Sequence, residues 1–206
     1  MSVAPLPASD VSRETSDRLS RLKDLIRKWN PAINLVSKGS LDDLENRHVI
    51  DSMQVFDHSP KGARRWTDLG SGGGFPGLVV AILAAEHAPL LEVDLIESDK
   101  RKAAFLQTAA RELGLGNISV FAKRIEDVPP RGADVVSARA LAPLDTLIGL
   151  SYRHLAHDGI ALFLKGAQHV RELDHALASW TFDVQKFPSK TDPQAVILKL
   201  GGIARV

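Results

Sequence analysis

Apolar residues recur at three- and four-residue steps from Ser9 onward. Thr15, Leu19, Leu22, Ile26 and Trp29 share one face, which predicts an amphipathic helix. Asn30-Pro31 is expected to stop it. Ser40 reads as an N-cap with Asp43 at the capping-box position, starting a second helix that runs to about Phe56. Residues 1–8 are small and proline-rich, and read as a loose tail. The first 60 residues are therefore expected to be helical, ahead of any strand.

After Pro60 short apolar runs alternate with helical patterns. Trp66–Leu69 reads as a strand entering the loop "GSGGGFPG", and Pro76 suits the first turn of the next helix. A strand over Leu90–Ile96 and a helix over Ser98–Leu113, closed by Gly114, follow. Further strands are expected at Ile118–Ala122, Ala133–Ala138 and Ile160–Leu164, with helices at Pro143–Leu155 and Val170–Ala178. The closing runs "TFDVQKF" and "AVILKL", separated by "PSKTDPQ", read as an antiparallel pair. This order predicts an α/β fold, a mostly parallel sheet with helices on both faces and a terminal hairpin. One domain over 1–206 is expected, with a helical extension at 1–60 and a Rossmann-like core at 61–206.

Composition narrows the function classes. The hydrophobic and charged fractions, 44% and 25%, are those of an ordinary globular protein, and the net charge is only +1. No global field draws the chain onto nucleic acid, so any such contact must be a local patch. The absence of cysteine excludes a disulfide framework, a thiolate zinc site and a cysteine nucleophile, and no metal is expected. It also agrees with a reducing cytoplasm, the expected location. No stretch has the length and apolarity of a membrane span, and "MSVAPLPASDVSRETSDR" lacks the apolar core of a signal peptide.

The candidate chemistry sits in "TDLGSGGGFPG", Thr67–Gly77. Gly72-x-Gly74-x-x-Gly77 satisfies dinucleotide spacing, and Glu97 stands where a ribose-binding acid is expected. Glu97 serves S-adenosylmethionine equally well, since both cofactors carry an adenosine. Asp68 separates the two readings. A carboxylate at the end of the first strand can help anchor the methionine ammonium, often through water, but would repel a pyrophosphate. Glu126-Asp127 follow the third strand, where adenine of a methyltransferase cofactor is expected, and little chain is left for a separate catalytic domain. S-adenosylmethionine is the expected cofactor, in a class I methyltransferase fold.

"WNPAINLVS" at 29–37, "RHVIDS" at 47–52, "DLGSGGGFPG" at 68–77, "IESDKRKAAFL" at 96–106, "SARAL" at 137–141 and "LKG" at 164–166 add a more specific signal. In this order they resemble the RsmG (GidB) family of bacterial 16S ribosomal RNA guanine-N7 methyltransferases, from Leu19 onward. Gly73 and Val36 depart from the residues common there. The resemblance implies ribosomal RNA as partner and cofactor contacts from Gly70, Phe75, Ile125, Glu126 and Arg139. Asp68, Gly72 and Glu97 join them from the general methyltransferase pattern.

Guanine N7 is a neutral lone pair, so positioning rather than a general base is the expected mode of catalysis, with Arg139 the main contributor. His48 and Asp51, one turn apart, read as a hydrogen-bonded structural pair. For the RNA grip two basic clusters compete. One lies on the first helix, at Arg13, Arg18, Arg21, Lys23, Arg27 and Lys28. The other, including Lys100, Arg101, Lys102, Lys123 and Arg124, flanks the strand ends where ligands bind in such sheets and is the better candidate. Lys165 and Asn34 are further candidates for the RNA site. The chain is expected to act as a monomer.

Overall fold

The computed structural model describes residues 11–206, so the expected tail at 1–8 lies outside the described residues. In chain order the elements are α1 (Arg13–Ile33), α2 (Lys38–Leu41), a π-helical segment Glu45–Ile50, α3 (Asp51–Asp57), β1 (Arg65–Leu69), α4 (Gly77–His87), β2 (Glu92–Ile96), α5 (Lys100–Glu112), β3 (Ile118–Phe121), a 3₁₀ turn Ile125–Asp127, β4 (Ala133–Arg139), α6 (Leu144–His154), β5 (Leu155–Lys165), α7 (His169–Ala176), β6 (Trp180–Pro188) and β7 (Val196–Arg205).

The sheet runs β3-β2-β1-β4-β5-β7-β6. The first five strands pair in parallel, and β7 turns antiparallel between β5 and β6. Alternation along the strands divides two cores. Leu95, Val135, Leu162 and Ile197 face α1, α4 and α5. Their chain neighbours Ile96, Val136, Phe163 and Leu198 face α6 and α7. Burial on both faces is why these strands are near-continuously apolar.

Two expectations about the first helices change. Pro31 does not stop α1, which continues to Ile33. In the last turn a proline forfeits a single backbone bond, and Asn34, left-handed at φ 49, closes the helix by donating its N–H to the Asn30 carbonyl. Asn30 Oδ1 then accepts from Val36 N at 2.9 Å, fixing the chain after the helix. The second helix is capped by Ser37 rather than Ser40 and is broken into α2, the π segment and α3. The wide π turn shifts the helical phase. His48 and Asp51 therefore do not pair: the His48 ring stacks on Phe75 at 4.7 Å between centroids, while Asp51 Oδ1 accepts from the Ser189 and Thr191 hydroxyls.

Candidate active site

Strand order reverses between β1 and β4, and a parallel sheet opens a crevice at the carboxyl ends of strands there. A cavity of about 510 Å³ occupies that position. Of the expected cofactor residues it is lined by Gly70, Gly72, Phe75, Glu97, Ile125, Glu126 and Arg139. Leu35, Val36 and His48 close it from the helical segment. Sequence reasoning did not assign them to the cofactor, although "NLVS" and "RHVIDS" marked their segments.

The loop's shape follows from backbone bonding. Gly70 and Gly72 adopt φ +64 and +52, which favour glycine. A Cβ on Gly70 would lie 2.6 Å from Leu141 Cδ1. Ser71 N donates to the Ile96 carbonyl at 3.0 Å and Gly74 N to the Ser71 carbonyl at 2.7 Å. The Leu35–Val36 segment passes close above, since a Cβ on Gly73 would approach the Leu35 carbonyl oxygen to 3.0 Å.

Glu97 organises this rim. Oε2 accepts from Gly72 N at 2.9 Å and Oε1 from Asp99 N at 2.7 Å, and Asp99 in turn caps α5. A carboxylate oxygen accepts more than one hydrogen bond, so Glu97 can hold the loop and still receive hydroxyl donors from the cavity.

Asp68 is different. It is 1% exposed and does not line the cavity. Alternation along β1 turns it to the face that carries Trp66, beside the start of α4, where a Cβ on Gly77 would lie 2.8 Å from Oδ2. Oδ1 accepts from Ser137 Oγ at 2.6 Å, and Trp66 Nε1 donates to that same hydroxyl at 2.8 Å. Burial pushes its carboxyl up to about 6, against the Ser137 hydrogen bond that pulls it down. A direct contact with a methionine ammonium therefore does not fit its position. Its partner Ser137, in "SARAL", was not anticipated.

Arg139 ends β4 at the edge of the cavity. Its Nη2 donates to the Arg47 carbonyl, Nη1 lies 3.9 Å from Asp51 Oδ2, and Nη1 is buried without a hydrogen-bond partner. His48 has both ring nitrogens buried without partners, and burial, reinforced by Arg139 and Arg47, lowers it to about 3. It is neutral across the physiological range.

The expected RNA residues separate. Lys102 and Arg124 line the cavity together with Lys123. Arg101 turns back to Asp99 at 3.4 Å. Lys165 is held by Glu172 at 2.5 Å and by the Ala142 carbonyl at 3.1 Å. Asn34 is exposed, and its backbone caps α1.

The cavity fits S-adenosylmethionine on the structure's own terms. A Cβ on Gly72 would meet nothing nearer than the Gly70 carbonyl oxygen at 3.7 Å, so the backbone lies open to a ligand. A carboxylate stands beside it, and an aromatic ring and aliphatic side chains complete the wall. Another cavity, about 450 Å³ and lined by Phe56, Pro60, His87 and Leu90 among others, lies at the amino ends of β1 and β2 and contains none of the expected residues.

Comparison with known proteins shows the family and the fold. The family model described as "GidB: rRNA small subunit methyltransferase G" matches residues 15–197. The chain belongs to this family. A relative from Ruegeria sp. (strain TM1040), named "Ribosomal RNA small subunit methyltransferase G", is 54% identical over 197 residues, 96% of this chain and 95% of the relative. One of the same name from Cereibacter sphaeroides (strain ATCC 17023) is 52% identical over 206 residues, all of both chains. The solved M. jannaschii TYW2 in complex with AdoMet superposes with a TM-score of 0.56 at 14% identity, covering 83% of this chain and 78% of that one, a likeness of fold.

The protein is thus a methyltransferase of this family. No helix among the described residues is long and apolar enough to cross a membrane, and no group of His, Asp and Glu among them is arranged to hold a metal ion.

Proposed function

We infer that this methyltransferase methylates guanine N7 in small-subunit ribosomal RNA. The observation that carries the reading is the cofactor cavity whose lip bears Lys102, Lys123 and Arg124, none of which forms an ion pair with the described residues. Such cations are available to a phosphate backbone.

Gly70 and Gly72 would carry the methionine part of the cofactor along their backbone, and Glu97 would accept from the ribose hydroxyls. Backbone amides at Ile125 and Glu126 would meet the adenine edge. Phe75, held by His48, would pack beside the sulfonium. Asp68 acts from beneath, by fixing the end of β1 against Ser137. When bound, S-adenosylmethionine supplies a methyl group already activated by its sulfonium. The protein's own residues orient the acceptor and exclude water. N7 carries no proton, and His48 in the cavity wall is made a weak base by burial and by the nearby Arg139 and Arg47.

Mass mapping of nucleosides in 16S ribosomal RNA, with and without the protein, tests the reading. N7-methylguanosine should appear only with it, and its absence would refute the assignment. The single-turnover rate at saturating RNA and cofactor should be nearly flat from about pH 6 to 9, because no group must lose a proton. A rate rising about tenfold per pH unit, with the slope lost in His48→Ala, would instead mark a proton-bearing acceptor and a catalytic base.

A further inference from the structure

A second cavity, about 660 Å³, adjoins the first. The two share Arg139 and Ala140, at the end of β4. Ala140 holds φ +48, a left-handed conformation that alanine rarely adopts and that neighbouring structure must enforce. The far wall is the β6–β7 connection, and it is firmly built. Ser189 and Thr191 donate to Asp51 Oδ1 at 2.8 and 2.7 Å, and Gln54 bonds Pro188 O and Lys190 N at 2.7 and 3.1 Å. The floor is the Lys165–Glu172 pair, with Glu172 Oε2 also accepting from Leu144 N at 2.8 Å. Nearly every polar group of this lining is already committed to another.

Arg139, set where the two cavities meet, is committed only in part. Its Nη1 is buried and makes no hydrogen bond, its nearest carboxylate oxygen being Asp51 Oδ2 at 3.9 Å, and a buried donor without a hydrogen bond is costly. An acceptor arriving in the second cavity would supply that bond at the boundary with the cofactor cavity, where the reacting atom must sit, with the Arg139 side chain turning from Asp51 towards it. In guanine the atom beside N7 on the same edge is O6, an acceptor, whereas adenine presents an amino donor there.

Resting on the N7 reading above, we propose that the second cavity receives the acceptor guanine, and that Arg139 Nη1 donates to O6 and so selects guanine over adenine. N7 itself stays unbonded and free to react. Arg139 is then a specificity-determining residue shared by both cavities.

Equilibrium titrations test this on protein saturated with S-adenosylhomocysteine, using guanosine, inosine and adenosine monophosphates as probes. Guanosine and inosine monophosphates, which both carry O6, should bind within about threefold of each other, and adenosine monophosphate about tenfold or more weaker. Arg139→Met should erase that preference. Gly166 lines only the second cavity, and a Cβ there meets open space. Gly166→Trp should therefore abolish guanosine monophosphate binding while leaving S-adenosylhomocysteine affinity unchanged. No saturable binding to the wild type, a preference surviving Arg139→Met, or binding indifferent to Gly166→Trp each overturns the proposal. The two readings fail separately. Missing N7-methylguanosine in the RNA with Arg139-dependent guanine selectivity retained would sink the reaction assignment alone. N7-methylguanosine formed with binding that ignores both substitutions would sink the pocket alone.

Discussion

Helix α1 and the strand-end rim both look basic, and the structure treats them differently. Along α1, Arg13 lies 3.9 Å from Asp17, Arg18 2.7 Å from Glu14, Arg21 3.8 Å from Glu112 and Arg27 3.2 Å from Asp24, while Lys23 pairs with Glu45. On the rim, Lys102, Lys123 and Arg124 form no such pair among the described residues and face the cavity. Exposed pairs of this kind contribute little to stability, yet they spend the charge locally. A cation is useful to RNA when its own fold has not neutralised it.

The largest effect should come from removing the group that shapes the rim. Glu97→Ala strips acceptors from Gly72 N and Asp99 N as well as from any ribose. Hydrogen bonds to charged groups contribute about 1.5–3 kcal/mol each, so cofactor affinity by calorimetry should fall by roughly 10- to 100-fold. Glu86→Ala, which frees the Ser12 and Thr15 contacts at the start of α1, should leave that affinity unchanged. Equal losses in the two variants would erase the distinction between the regions.

Charge reversal is the direct comparison. Lys123→Glu with Arg124→Glu should weaken RNA binding about tenfold or more and lower the salt slope by about 2, whereas Arg13→Glu with Arg27→Glu should change affinity by less than about twofold. The opposite ranking would transfer the RNA grip to α1.

Acid separates the regions more gently. The folded pKa of His48 is depressed to about 3. Its stability contribution is therefore complete above the unfolded value of 6.5 and is lost as pH falls below it, because only the unfolded chain takes the proton. At about pH 5 this amounts to about 2 kcal/mol. His48→Phe keeps an aromatic ring against Phe75 and should flatten the loss of Tm between pH 6 and 4.5 (about that range, from linkage).

Asp68 acts with the opposite sign and should give the smallest change. Its folded pKa is raised from 3.8 to about 6, so between those values stability falls as pH rises. Asp68→Asn should remove that fall, leaving the protein at least as stable at neutral pH and steeper in its acid loss. A Tm that drops at neutral pH would show that the charged carboxylate is needed beneath the loop.

Much of the site was legible from local chemistry. Gly70 and Gly72 signal a backbone that side chains would obstruct, and Glu97 follows β2 at the spacing an adenosine cofactor requires. The misreadings share a cause. Pro31 was a stop signal by propensity, but one proline in a last turn is tolerated once Asn34 and Asn30 supply the closing bonds. His48 and Asp51 were paired by α-helical periodicity, which the π turn does not keep.

The sequence by itself determined the alternating elements, the glycine loop and the kind of cofactor it suits, because backbone conformation and apolar period are properties of neighbouring residues. Only the tertiary structure decided that Asp68 accepts from Ser137 on the neighbouring strand, that Lys165 is tied to Glu172, and that Arg139 sits beside Asp51 between two cavities with an N–H that makes no hydrogen bond. Those outcomes depend on partners 69, 7 and 88 positions away in the chain, at Ser137, Glu172 and Asp51 respectively. A charged or polar side chain takes its role from whichever such group the fold brings within hydrogen-bond distance.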